Sequence, residues 1–82
     1  MCGISGIITI KKQKLEENIF QSLTLLENRG YDSSGICFIT DNNINIYRKV
    51  FQEKRKPIEL LKEENYTETN IIFGHNRWAT HG

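Results

Sequence analysis

Ser34-Gly35-Ile36-Cys37-Phe38-Ile39-Thr40-Asp41-Asn42-Asn43-Ile44-Asn45-Ile46-Tyr47-Arg48-Lys49 is the stretch on which the fold turns. Its first half alternates, with Ile36, Phe38 and Thr40 on one side of an extended chain and Cys37 and Ile39 on the other. That is the period of a strand. Asp41-Asn42-Asn43 supplies turn residues that tolerate positive φ. Alternation then resumes, with Ile44, Ile46 and Arg48 against Asn45, Tyr47 and Lys49. Two such runs across so short a polar link predict an antiparallel hairpin.

Upstream, Ile4, Ile7, Ile8 and Ile10 form a short β-branched run that predicts a mostly buried strand over Ile4–Ile10. Gly3 and Gly6 near its start suggest close backbone approach to a neighbour or a ligand. Between Lys12 and Asn28, Leu15, Ile19, Leu23 and Leu26 recur at helical spacing, and Phe20 and Leu25 broaden the stripe. Gly30 stands where such a helix should stop. Downstream, the charged segment Lys54–Tyr66 holds Pro57, which can open a short helix carrying Ile58, Leu60 and Leu61. Asn70–Gly74 reads as a last apolar strand, followed by the polar run His75–Gly82. Strand, helix, hairpin, short helix and strand make an α+β arrangement, with a helix covering one face of a mainly antiparallel sheet.

Size and charge exclude several classes. The chain has 82 residues, 38% hydrophobic and 26% charged, as befits a soluble globular domain or a piece of one. Eleven basic against ten acidic residues leave a net charge of +1, without electrostatic bias toward nucleic acid or membrane. Lys54-Arg55-Lys56, flanked by Glu53 and Glu59, reads as a solvated face. No apolar run approaches the roughly 20 residues of a membrane span. The N-terminus lacks a signal-peptide layout. Cys2 and Cys37 are too few for a disulfide scaffold, so a cytoplasmic, reducing setting is expected. The sheet looks incomplete, and the expectation is that residues 1–82 are an N-terminal piece of a longer protein.

Chemistry concentrates in three places. Loss of Met1 would put a thiol and a free α-amine on the same residue, Cys2. An α-amine titrates near pH 7.7–8.0 and a free thiol near about 8.5, so the amine can serve as general base for the thiol. By position alone Cys2 reads equally as a small residue entering a core strand. Arg29-Gly30-Tyr31-Asp32-Ser33-Ser34-Gly35 is either a helix stop and turn or an Arg–Asp brace beside a site. In Gly74–Gly82, Arg77 offers a planar fork for a carboxylate. Trp78 could close over a ligand, and Thr80 and His81 offer polar contacts; the alternative is an ordinary loop whose Trp packs on the core. Cys2, Cys37, His75 and His81 lack the spacing of a compact zinc-ligand pair, and Cys37 reads as a core residue.

Taken together, Met1-Cys2-Gly3-Ile4-x-Gly6, Leu26-Glu27-Asn28-Arg29-Gly30-Tyr31-Asp32-Ser33-Ser34-Gly35 and Gly74-His75-Asn76-Arg77-Trp78-Ala79-Thr80-His81-Gly82 resemble the N-terminal glutaminase domain of the class II glutamine amidotransferases. Within that class the strings are most similar to the glutamine–fructose-6-phosphate aminotransferases. Amidophosphoribosyltransferases are the nearest alternative, but they usually carry Tyr-Ser where this chain has Trp78-Ala79. Asn28 stands in place of a frequent Tyr, and Asn76 in place of a frequent Thr.

The resemblance implies an N-terminal-nucleophile (Ntn) hydrolase fold, a four-layer αββα sandwich of which this chain holds the N-terminal portion. It implies that Cys2 hydrolyses the glutamine side-chain amide, with Arg29 and the Gly30 backbone positioning the catalytic N-terminus. Arg77 would hold the substrate α-carboxylate, with Thr80 and His81 as further contacts and Trp78 in a closing loop. Ammonia would pass to fructose 6-phosphate, giving glucosamine 6-phosphate, in sugar isomerase domains absent from this chain. No metal or organic cofactor is implied; the intact protein would be a homo-oligomer. The family's oxyanion-hole Asn-Gly pair and an amine-binding Asp lie farther along than Gly82, so the 82 residues alone are expected to have negligible glutaminase activity. The non-catalytic alternative is a fragment that binds glutamine or a protein partner.

Overall fold

The computed structural model describes residues 3–26, 32–52 and 54–77. The strands are β1 (Gly3–Gln13), β2 (Ser33–Thr40), β3 (Asn43–Val50) and β4 (Thr69–Arg77), and the helices are α1 (Glu16–Leu25) and α2 (Pro57–Leu61). The strands form one sheet in the order β1-β4-β2-β3. Both β1 and β2 pair antiparallel with β4, so they run parallel to one another with β4 between them. Parallel strands need a crossover, and α1 supplies it. The hairpin is present as expected: Ser33 to Thr40 pair with Val50 to Asn43. Asp41 takes φ of 52°, the left-handed conformation that Asp tolerates.

Both helices pack on the same face of the sheet, α1 over β4 and β1, α2 over β3 and β2. Their stripes determine the core. Leu15, Ile19, Phe20 and Leu23 from the α1 region and Ile58 and Leu61 from α2 bury against Ile36, Phe38 and Ile72. Glu16 and Glu17 in the first turn of α1 complement the helix dipole. Pro57 opens α2, where its missing N–H is not needed. Tyr66 lies at the junction, its ring 5.7 Å from Phe20, 5.6 Å from Phe38 and 5.4 Å from Tyr47 between centroids. Its hydroxyl donates to the Leu61 carbonyl at 2.7 Å, and burial raises the phenol above its ordinary pKa. Gly74 lets α1 approach β4, since a Cβ there would stand 2.8 Å from Leu23 Cδ1 and 2.9 Å from Ile19 Cγ2.

Several expectations need correction. The first strand is not mostly buried: it is an edge strand, with Ile4 and Ile8 76% and 73% exposed on the face the helices leave open. The helix is shorter than Lys12–Asn28 because Lys12 and Gln13 remain in β1. Leu25 does not join the packed stripe and is 86% exposed. His75, Asn76 and Arg77 are not a polar loop; they continue β4, His75 and Asn76 paired with both β1 and β2 and Arg77 with β2. Cys37 is half-buried on the open face, so it is not part of the helix-side core. Lys54, Arg55 and Lys56 are exposed as expected, with Arg55 paired to Glu63. Gly30, the anticipated helix stop, lies outside the described residues.

Candidate functional site

Register brings the three sequence motifs to one end of the sheet. Gly3 of β1 stands opposite Asn76 of β4, and Asn76 stands opposite Ser34 of β2. Residues far apart in the sequence thus occupy one row across three adjacent strands. The end of α1 reaches the same corner, because a Cβ on Gly3 would lie 3.1 Å from Leu26 Cβ. Asp32 N–H donates to the Arg77 carbonyl at 3.0 Å, closing the seam between the second and third motifs.

On the helix side of this row, Ser34 and Asn76 are fully buried. Ser34 Oγ donates to Asn76 Oδ1 at 2.6 Å, and Asn76 Nδ2 donates to the Leu23 carbonyl at 2.9 Å. That carbonyl belongs to the last turn of α1, where backbone acceptors lack partners within the helix. One buried amide therefore joins β4, β2 and the end of α1. The residue reading missed this pair. Alternation from Phe38 and Ile36 places Ser34 on the buried face; Asn76 joins it only if the strand is carried past Gly74.

Successive side chains alternate, so Arg77 lies on the open face with His75 and Phe73. Its side chain is exposed at the end of β4. The His75 ring lies over Gly35, where a Cβ would meet Nε2 at 2.5 Å, and Phe73 lies over Gly6, where a Cβ would meet Cδ1 at 2.6 Å. These are opposed pairs in the register, so the motif glycines make room for rings on the next strand. A shallow, mostly apolar concavity of about 390 Å³ lies beside them, lined by Ile4, Cys37, Ile46, Arg48, Phe73 and His75 among others.

Of the predicted site residues, Arg77 is placed by the structure at the shared end of the sheet. Cys2, Arg29, Gly30, Trp78, Thr80 and His81 lie outside the described residues. Gly3, Leu26, Asp32 and Arg77, the described residues that border those segments, meet at this one corner. Among the described residues no group of three His, Cys, Asp or Glu side chains is arranged to hold a metal ion.

The chain aligns over its whole length with curated proteins of one name. It is 36% identical to a probable glutamine–fructose-6-phosphate aminotransferase (isomerizing) of Acanthamoeba polyphaga mimivirus. Against proteins named glutamine–fructose-6-phosphate aminotransferase (isomerizing), identity is 44% for Caldanaerobacter subterraneus subsp. tengcongensis and 42% for Sulfurisphaera tokodaii. All of this chain is covered in each case, but only 14%, 13% and 14% of the respective relatives. No protein-family model matches the chain, and no solved structure matches it. The matches place the chain in the glutamine amidotransferase class. Within it, the chain belongs to the glutamine–fructose-6-phosphate aminotransferase (isomerizing) family, aligned with the N-terminal part, about 14%, of its relatives.

Proposed function

We propose that the chain is the nucleophile-bearing part of a glutaminase domain. With Met1 removed, the Cys2 α-amine takes the thiol proton and Sγ attacks the side-chain amide carbon of glutamine. The tetrahedral adduct collapses as the amine returns its proton to the leaving nitrogen, releasing ammonia and leaving a γ-glutamyl thioester. Water then hydrolyses the thioester to glutamate. Arg29 and the Gly30 backbone position the N-terminus, and Arg77 forks onto the substrate α-carboxylate. Thr80 and His81 contact the same substrate, while Trp78 closes the site.

The observation that carries this reading is the row Gly3–Asn76–Ser34, which gathers three separated motifs at one corner and puts Arg77 there. Orientation of this kind removes a large part of a bimolecular barrier. The apolar open face, with Ile4, Ile8, Ile46 and Phe73 exposed, supports a sandwich in which a second sheet of the same domain packs there. In the whole protein the ammonia passes to fructose 6-phosphate, forming glucosamine 6-phosphate in a cytoplasmic homo-oligomer. Cys2→Ser in the natural protein carrying this sequence tests the chemistry. Glutamine hydrolysis falling to background is the expected result, and an undiminished rate overturns it.

A further inference from the structure

We infer that Asn76, with Ser34, is a positioning residue for glutamine recognition; this rests on the glutaminase reading above. Its carboxamide is fully buried and uses both ends, accepting from Ser34 Oγ at 2.6 Å and donating to the Leu23 carbonyl at 2.9 Å. An amide meets both demands because it carries an acceptor oxygen and a donor nitrogen. The contact fixes how β4 rolls about its axis at the residue directly before Arg77. Side chains alternate across a strand, so locking Asn76 toward α1 sets the direction in which Arg77 leaves the other face. The same amide ties down the last turn of α1, which leads to Arg29-Gly30, and the β2 residue that follows Asp32-Ser33. Asp32 in turn donates to the Arg77 carbonyl at 3.0 Å. One side chain thereby couples the placement of the second motif to that of the third, without touching substrate.

The test uses the natural protein carrying this sequence and compares two reagents for Cys2. One is a glutamine analogue whose amide is replaced by a chloromethyl ketone. The thiolate forms a C–S bond as chloride leaves, and the reaction depends on recognition of the amino-acid end. The other is iodoacetamide, which reports thiolate reactivity alone. Misplacement of about 1 Å costs about 10²-fold in such sites, so Asn76→Ala should slow the analogue by about 10–10² while iodoacetamide labelling of Cys2 slows far less. Asn76→Thr, whose hydroxyl can both accept and donate, should keep most of the analogue rate. Ser34→Ala, a milder change, should give the same selective slowing at smaller amplitude, and it decides the matter should Asn76→Ala not accumulate. Equal slowing with both reagents, or none with either, overturns the inference and leaves the glutaminase reading standing. A wild-type protein that the analogue does not label at Cys2 overturns both.

Discussion

Gly74 stands opposite Ile36 and Gly35 opposite His75, one register step apart, and the two glycines face opposite sides of the sheet. A methyl group on Gly74 enters space filled by Leu23 and Ile19, both fully buried beneath α1. The same group on Gly35 meets the His75 ring first, and that ring has the open face to move into. Overpacking a closed core costs about 1–3 kcal/mol. Gly74→Ala is therefore expected to lower stability by about that amount, with Gly35→Ala costing less, as denaturant titration of the two variants would show. Equal losses would mean that the His75 ring is as confined as the α1 stripe. At this scale the sequence was legible where glycines fell beside apolar runs: Gly3 and Gly6 were expected to permit close approach, and they stand against Leu26 and Phe73. Ser34 and Asn76 were not legible as partners, because 42 residues separate two groups that only the register brings together.

The two helices show what periodicity reveals and what it leaves out. Ile19 and Leu23 follow the stripe to full burial, while Leu25 points into solvent just beyond it. Leu23→Ala should cost about 2–5 kcal/mol, and Leu25→Ala should stay within about 0.5 kcal/mol; thermal melts of the two variants distinguish them. The helix began later than its pattern suggested because Lys12 and Gln13 are held in the edge strand, where Gln13 pairs with Thr69. Tertiary pairing outweighed the weak local preference of a charged segment. Likewise, His75-Asn76-Arg77 has no apolar side chain to mark a strand, yet β2 pairs with all three residues and β1 with the first two.

The junction between α2 and the sheet carries a pH signature. Tyr66 is held neutral chiefly by burial, with Glu64 adding to the effect, so its folded pKa lies above its unfolded value of 10.0. The sign follows from proton binding. The stabilisation is complete below about pH 10 and is lost as pH rises from there toward the folded pKa, because the unfolded state releases the proton first. Spectrophotometric titration should show Tyr66→Phe removing the tyrosinate signal that appears at the highest pH. Loss of a signal near pH 10.0, the ordinary tyrosine value, would contradict the burial argument.

For the whole molecule, the two faces of the sheet are unequal. One is sealed by both helices; the other presents Ile4, Ile8, Ile44, Ile46 and Phe73 to the outside. Apolar alternation predicted the two hairpin strands, but it could not say which face the chain itself would cover. Substituting Ile8→Lys or Ile46→Lys in the natural protein is expected to destabilise it by about 1–3 kcal/mol, since a second sheet would bury the charge unpaired. An effect within about 0.5 kcal/mol would mean that the face is solvated. The candidate site was legible as three strings of residues; their convergence was not, because it depends on β4, the last of the described strands, inserting between β1 and β2.

The most direct measurement is peptide mass spectrometry of the natural protein after reaction with the glutamine-derived chloromethyl ketone. The expected result is a mature N-terminus beginning at Cys2, with the adduct on that residue and protection by glutamine. Retention of Met1, or alkylation of Cys37 in preference to Cys2, would contradict it.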